Sequence, residues 1–227
     1  MTADEMRVEL ETEMAWRQEE MGFFKNQLNN IADNEKDRYR KSLIILLYSH
    51  MEGYIKICLQ IYIKYINSQH LLRKDVISEL IVSGMSKEFH AYENLDRKCE
   101  FFKSFLPNDT QLHRYYRHID FINQIDDFLE LLLTIEDGVI DTESNLWHAV
   151  LKKNLYKVGL PIDAFDEYSN DINALVNRRN SIAHGSAKSG VVQQEYEKWE
   201  NKVNEIMSDI TRIVYDFAYN KRYLKSV

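Results

Sequence analysis

The sequence is poor in the two residues that most often interrupt helices. Its 227 residues include only seven glycines and two prolines. Apolar residues recur at three- and four-residue spacings over long stretches, as in amphipathic helices, and few stretches alternate as half-buried strands do. The composition therefore predicts an all-α fold, a single-domain helical bundle over residues 1–227.

Cysteine is equally scarce. Cys58 and Cys99 are far apart and have no Cys-x-x-Cys or Cys-His neighbourhood, which excludes a zinc site or a disulfide framework of the usual spacing. Carboxylates are numerous but scattered, without the compact cluster that two-metal nucleases need. Phosphate-loop, dinucleotide and metalloprotease motifs are absent. We expect no metal and no cofactor.

Long hydrophobic runs are also missing. The longest, residues 43–47, is far too short to span a bilayer. The first residues are acidic, whereas an export signal begins with a basic region and an apolar stretch. These features predict a cytoplasmic protein with no membrane partner.

Positive charge is in deficit, since the formal net charge is −7. That balance excludes a protein that holds nucleic acid by a broad basic surface. A nucleic-acid contact would have to be confined to a cleft lined by nearby arginine and lysine side chains. The candidates are Arg178, Arg179 and Lys188. Lys221, Arg222 and Lys225 near the C-terminal end are either further candidates or simply a solvated terminus.

The periodicity predicts a series of helices. The first five cover residues 4–33, 35–67, 75–82, 91–105 and 119–133. The sixth is capped by Ser144 or Asn145 and ends at Gly159, and Pro161 and Asp163 open the seventh. The last covers residues 192–223. The second helix carries the core row Leu43, Leu47, Met51, Tyr54, Cys58, Ile61 and Tyr65. Glu52 stands among apolar neighbours there and needs a partner, because an unpaired buried charge costs several kcal/mol.

The most informative stretch lies where the helix opened by Pro161 should end. Because a helix turns about 100° per residue, Arg179 shares an apolar stripe with Tyr168, Ile172, Leu175 and Ile182. His184 continues a polar row of Asn173, Asn177 and Asn180. Arg179 and His184 point in directions about 140° apart, and Gly185 marks the helix end. Taken alone, such an arginine and histidine can simply be a helix-end cation and a cap.

The segment Arg179-Asn180-Ser181-Ile182-Ala183-His184 resembles the Arg-x4-His signature of HEPN domains. Two further stretches agree in order and spacing with the MAE-type HEPN-like nucleases. They are Leu46-Leu47-Tyr48-Ser49-His50-Met51-Glu52-Gly53-Tyr54-Ile55-Lys56 and Thr142-Glu143-Ser144-Asn145-Leu146, the latter followed by Gly159-Leu160. The resemblance is strongest over residues 40–215 and departs at Met51, where a larger aromatic is expected.

The resemblance implies a HEPN-type bundle with extra helices and a metal-independent endoribonuclease that cleaves single-stranded RNA. RNA carries its own nucleophile, the 2′-hydroxyl, so a histidine and an arginine suffice. An imidazole, with an ordinary pKa of about 6.5, can act as general base or acid, which is the role expected of His184. Arg179 would stabilise the transition state, and Asn180 would orient the phosphate. Arg178 is a supporting residue, and Asn177 and Lys188 are RNA-binding candidates.

The resemblance also implies a homodimer whose two Arg-His helices meet, because HEPN domains usually build the site across a two-fold axis. Since Arg179 lies on the apolar stripe of its helix, we expect that stripe to face the second chain. Glu52 is the candidate acid that pairs with Arg179, and an ordinary buried ion pair is the alternative. The expected role is a toxin or an antiviral-defence effector, restrained by an antitoxin or another defence-system protein.

Two other functions stay open. One is a catalytically inactive HEPN-type helical dimer that serves as a nucleotide-binding or protein-interaction scaffold, and the other is a plain interaction protein. The stretch His113-Arg114-Tyr115-Tyr116-Arg117-His118 has a composition suited to single-stranded RNA but the wrong spacing for a second motif, so it is either an RNA contact or a partly exposed helix face. His50 is expected in the core.

Overall fold

A computed structural model describes residues 1–225, in which eight α-helices and no strand occur. The predicted all-α fold is therefore confirmed. The helices are α1 (Ala3–Asn26), α2 (Asp33–Asn67), α3 (Ser78–Gly84), α4 (Ser86–Glu93), α5 (Thr110–Leu129), α6 (His148–Lys157), α7 (Ser169–Ala183) and α8 (Gln193–Tyr219).

Helix α2 is the centre of the bundle, and α1, α7 and α8 pack around it. Every residue of the predicted core row on α2 is buried, from Leu43 to Tyr65. By length and composition α2 is the one helix within residues 1–225 that could cross a membrane, but 56% of that window is buried inside the protein. Such burial is what the core helix of a bundle shows.

Helices α4 and α5 form a side lobe with a small core of its own. Phe121 stacks on Phe89 and contacts Tyr92 and Phe128, while these four rings lie outside the main hydrophobic cluster. Arg73 joins the lobe to the bundle by donating to the Glu88 carboxylate over 2.7 Å and to the Gly84 carbonyl over 2.9 Å.

The predicted helix over residues 91–105 is wrong. Helix α4 ends at Glu93, and the Asn94 side-chain oxygen then accepts a hydrogen bond from the Asp96 backbone N–H over 3.0 Å. Such a local side-chain bond competes with helix continuation. Helix α5 begins instead at Thr110, where Asp109 caps the Leu112 N–H over 3.0 Å, so the stretch 113–118 is helical.

The predicted start of the motif helix is also wrong. Residues 161–168 form successive tight turns, with Asp166 N–H bonded to the Asp163 carbonyl, and α7 begins only at Ser169. Phe165 has a non-helical backbone and is 0% exposed. Burial of that ring takes precedence over an earlier helix start.

Candidate active site

Helix α7 ends where Gly185 predicts. The backbone of Gly185 has a φ of +75°, in the left-handed region that favours glycine. His184 N–H donates to the Asn180 carbonyl over 2.9 Å, and Gly185 N–H donates to the Ile182 carbonyl over 3.1 Å. His184 is therefore the capping residue of α7, and its side chain is exposed.

Arg179 is half-buried one turn earlier. Its Nη1 donates to the side-chain oxygens of Asn145 and Asn180, both over 2.8 Å. Its guanidinium carbon lies 4.8 Å from the centre of the Tyr48 ring, a cation–π contact. Two amides and one ring thus fix the plane of the guanidinium.

Tyr48, which lies under the Arg179 guanidinium, also contacts the 142–146 stretch. Its hydroxyl accepts a hydrogen bond from the Leu146 N–H over 2.8 Å, and the side chain is fully buried. Burial raises the pKa of Tyr48, and the nearby Glu52 charge adds to that rise, so the phenol stays neutral. The three stretches that carry the family resemblance therefore converge on Arg179.

Part of the Arg179 guanidinium has no partner. Among residues 1–225, no side-chain or backbone acceptor receives a hydrogen bond from Nε or Nη2 of Arg179. A planar guanidinium with two adjacent free donors matches the oxygens of a phosphate. The arrangement leaves Arg179 held in place and available to an anion.

The apolar stripe of α7 does not face a neighbouring molecule, contrary to the sequence prediction. Tyr168, Ile172 and Leu175 are 8%, 1% and 1% exposed because they pack into the core of their own chain. Arg179 is half-buried rather than buried because its long side chain turns from this stripe toward Asn145. The stripe thus gives no surface for a dimer.

The predicted pairing of Glu52 with Arg179 is wrong within one chain. No ion pair in residues 1–225 joins the two side chains, although both adjoin Tyr48. Glu52 is half-buried on α2, and Arg179 is satisfied by neutral amide oxygens instead. A neutral acceptor fixes the guanidinium without cancelling its charge.

The other predicted residues differ in accessibility. Asn180 is half-buried between Arg179 and His184, whereas Asn177 and Lys188 are exposed. Arg178 donates to both oxygens of Glu195, over 2.7 and 3.3 Å, and to the Gly190 carbonyl over 3.2 Å. Arg178 is therefore a structural cation, and its charge is neutralised rather than offered to a ligand.

The basic C-terminal end lies far from this place. Tyr223 contacts Tyr65 near the end of α2, while Lys41, near its beginning, donates to the Ala187 carbonyl over 2.5 Å. The two points are roughly 36 Å apart at the helical rise per residue. The predicted contribution of Lys221, Arg222 and Lys225 to the cleft of the same chain is wrong.

The loop after His184 is anchored to the beginning of α2. Besides the bond from Lys41, Val191 N–H donates to the Asp37 carbonyl over 2.8 Å. A Cβ on Gly190 would come within 2.6 Å of the Asp37 Cβ and 2.9 Å of its backbone. Only glycine allows this approach, so the loop is held close to α2.

Asn145 and Tyr48 are the site residues that sequence reasoning missed as individuals. Both lie in the stretches that resemble the family, and this was the signal that could have found them. The sequence predicts Ser144 or Asn145 as the cap of helix α6. The N–H of His148, at the start of α6, is instead capped by the Asn173 side-chain oxygen over 3.1 Å, which leaves Asn145 free for Arg179.

A protein-family model described as RiboL-PSP-HEPN matches residues 12–216 of this chain. No curated protein matches the chain, and no solved structure matches it. The matched range includes the three converging stretches, from Tyr48 through Asn145 to His184.

Proposed function

Because the chain belongs to the RiboL-PSP-HEPN family, we propose that it is a metal-independent endoribonuclease that cleaves single-stranded RNA. Its membership confirms the predicted HEPN superfamily, whereas the MAE-type branch stays a prediction. HEPN domains are generally of the ribonuclease type, so the family indicates a nuclease-type or RNA-related function. The specific reaction is our proposal.

One structural observation gives the main support for the proposed ribonuclease function. Arg179 is oriented by Asn145, Asn180 and Tyr48 but keeps two donors free, and His184 stands exposed at the end of the same helix. An oriented cation and an accessible imidazole are what transfer of a phosphoryl group to a 2′-hydroxyl requires. A merely structural arginine is normally satisfied on all sides, as Arg178 nearly is.

In the proposed reaction, His184 accepts the proton of the 2′-hydroxyl, and the 2′-oxygen attacks the adjacent phosphorus. The bond from phosphorus to the 5′-oxygen breaks, and a protonated imidazole returns a proton to that oxygen. Arg179 neutralises the charge that builds on the phosphoryl oxygens. The products carry a 2′,3′-cyclic phosphate and a 5′-hydroxyl.

We further propose that two copies of the chain form the complete site. The Arg179 guanidinium bonds to Asn145 whereas His184 is exposed past the end of α7, and we propose that the arginine and the histidine acting on one phosphate come from different chains. The open face of α7 carries Ala174, Asn177 and Ser181, which are small or polar and exposed or half-buried. Small side chains let a second α7 approach closely, and a two-fold axis brings like residues together. Two Arg179 side chains would then create local positive potential on an acidic protein.

The proposed role is a cytoplasmic toxin or antiviral-defence effector whose activity a partner protein restrains. A nuclease that needs only RNA and no metal would damage its own cell without such restraint. Asn177 and Lys188, which are both exposed, are the residues we propose for contact with flanking RNA.

The test is cleavage of a labelled single-stranded RNA in excess chelator, followed by analysis of the new ends. We expect cleavage with 2′,3′-cyclic phosphate ends, and no cleavage at a position where a single 2′-hydroxyl is replaced by hydrogen. Cleavage at that deoxy position, or activity that returns only with added magnesium, would contradict the mechanism. Intact RNA with the folded wild-type protein would favour the inactive scaffold.

A further inference from the structure

Helix α5 divides the stretch 113–118 into a structural half and an exposed half. His113 and Arg117 are each 3% exposed. The His113 ring bonds to the Cys99 N–H over 3.2 Å and to the Leu106 carbonyl over 3.0 Å, and Arg117 donates to the Arg97 carbonyl over 3.0 Å. These two residues hold the loop before α5.

The exposed half of the stretch does not hold the fold together through polar contacts. Within residues 1–225, no hydrogen bond or ion pair engages the side chains of Arg114, Tyr115 or His118. Tyr115 is 66% exposed. At helical spacing the three side chains are neighbours on one face, and they line a cavity of about 450 Å³ together with Asp109, Gln111 and Leu112.

The chemistry of this cavity fits one ligand class. A free guanidinium and an imidazole one turn apart suit a phosphate, and an exposed phenol ring next to them suits a stacked base. Gln111 adds an amide that can bond to a base edge. The one carboxylate, Asp109, already accepts the Leu112 N–H as the helix cap, so it repels a phosphate less than a free acid would.

We propose that this cavity, lined by Arg114, Tyr115 and His118, is a second binding site for single-stranded RNA. The inference rests on the proposed ribonuclease function, which supplies the substrate. The cavity belongs to the side lobe, whereas His184 lies by the beginning of α2. It would therefore select RNA long enough to reach beyond the active site.

The binding test uses a labelled oligouridylate of about 20 nucleotides and full-length protein carrying His184→Ala, which keeps the RNA intact. Adding Arg114→Ala and Tyr115→Ala should weaken binding about tenfold or more, because a phosphate contact and a stacked base are lost. The salt dependence of log K should become shallower by about 0.7 for the lost phosphate contact. Tyr115→Phe should bind like its parent, because stacking needs the ring and not the hydroxyl.

The matched control removes an arginine and an exposed tyrosine elsewhere. Tyr156 on α6 is 61% exposed, and the Arg212 side chain on α8 is 74% exposed. The double variant Tyr156→Ala/Arg212→Ala should change affinity by less than about twofold. If the Arg114/Tyr115 variant binds as tightly as the control, the RNA site is refuted, and a protein partner becomes the occupant to test.

Cleavage separates this inference from the proposed function. In the active protein, Arg114→Ala/Tyr115→Ala should lower kcat/KM for the long RNA and leave cleavage of a dinucleotide unchanged. Equal losses on both substrates would overturn the second site. If wild-type protein cleaves neither substrate but its RNA affinity still depends on Arg114 and Tyr115, the proposed function fails and the binding site stands.

Discussion

Arg179 donates to the side-chain oxygen of Asn145, a residue 34 positions earlier, over 2.8 Å. This bond crosses from helix α7 to the segment before α6 and sets where the guanidinium lies over the Tyr48 ring. Asn145 is thus a positioning residue for the proposed reaction, since it touches Arg179 and not the phosphate.

Asn145→Ala should lower kcat on the order of 10²-fold with little loss of stability, because a misplaced guanidinium stabilises the transition state poorly. The measurement is kcat and KM on a short labelled RNA, with the melting temperature alongside. Asn173→Ala is the control, since that amide caps α6 and should cost about 1 kcal/mol of stability but little activity. Full activity in Asn145→Ala would show that Arg179 needs no orientation.

Arg179→Ala should reduce kcat/KM by about 10²- to 10³-fold, as loss of a transition-state donor does. Arg178→Ala should reduce activity far less and lower the melting temperature instead, because Arg178 holds Glu195 and the Gly190 carbonyl. Kinetics and thermal unfolding of both variants distinguish the roles. A larger activity loss in Arg178→Ala would mean that the wrong arginine was assigned.

Mixing Arg179→Ala protein with His184→Ala protein should restore part of the activity that each lacks. In a composite dimer, the mixed species retains one intact combination of arginine and histidine. Activity is measured as a function of mixing ratio, and sedimentation reports the oligomeric state. An active wild-type monomer, at concentrations where no dimer exists, would refute the shared site.

Protonation of His50 should lower the free energy of unfolding at mildly acidic pH. The ring is 7% exposed, packs on Trp16 from α1, and has Nε2 3.1 Å from the Glu20 carboxylate. Burial holds the pKa of His50 below its ordinary 6.5, Arg17 acts in the same direction, and Glu20 opposes them. The unfolded chain therefore takes up the proton first, and the free energy of unfolding decreases as pH drops through about 6.5.

The measurement is denaturant unfolding of wild type and His50→Gln at pH ~7.5 and ~5.5, on either side of the ordinary imidazole pKa. The decrease between the two conditions should be smaller in His50→Gln. Identical decreases in both proteins would assign the pH dependence to other groups.

Gly190→Ala should displace the loop that follows His184, because the added Cβ would overlap the Asp37 backbone. We expect a lower melting temperature and lower activity together. Gly22→Ala on α1 meets nothing within 4 Å and should stabilise the protein by about 0.5–1 kcal/mol. Thermal unfolding and RNA cleavage of the two alanine variants provide the comparison, and an unaffected Gly190→Ala would show that the loop has room to move.

Local patterns were enough to predict much of the fold. The repeated apolar spacing on α2 predicts its core row, and Gly185 predicts the end of α7, because both depend on near neighbours in sequence. The helix prediction for residues 91–105 was wrong because the Asn94 side chain accepts a hydrogen bond from the nearby Asp96 N–H, which periodicity does not reveal. The late start of α7 likewise depends on burial of Phe165 by distant residues.

The candidate site was predicted only in part for a similar reason. Arg179, Asn180 and His184 belong to one helix, so their relation follows from helical geometry. The partners of Arg179 come from α2 and from the segment before α6, and the choice of Asn145 over Glu52 depends on tertiary packing. No spacing within one sequence encodes that choice.

Helix α2 contacts both the Arg179 side chain and the loop that follows His184, so it fixes the position of one relative to the other. Tyr48 supports Arg179, and Lys41 and Asp37, about two and three turns earlier, hold the loop behind His184. Helix α7 cannot rotate about its own axis without breaking contacts at both ends. An inhibitor that twisted α7 would therefore have to disrupt the bundle. If the site is the proposed dimer, an inhibitor that kept two chains apart would leave each chain folded but inactive. For the proposed dimer, control is accordingly expected at the level of assembly.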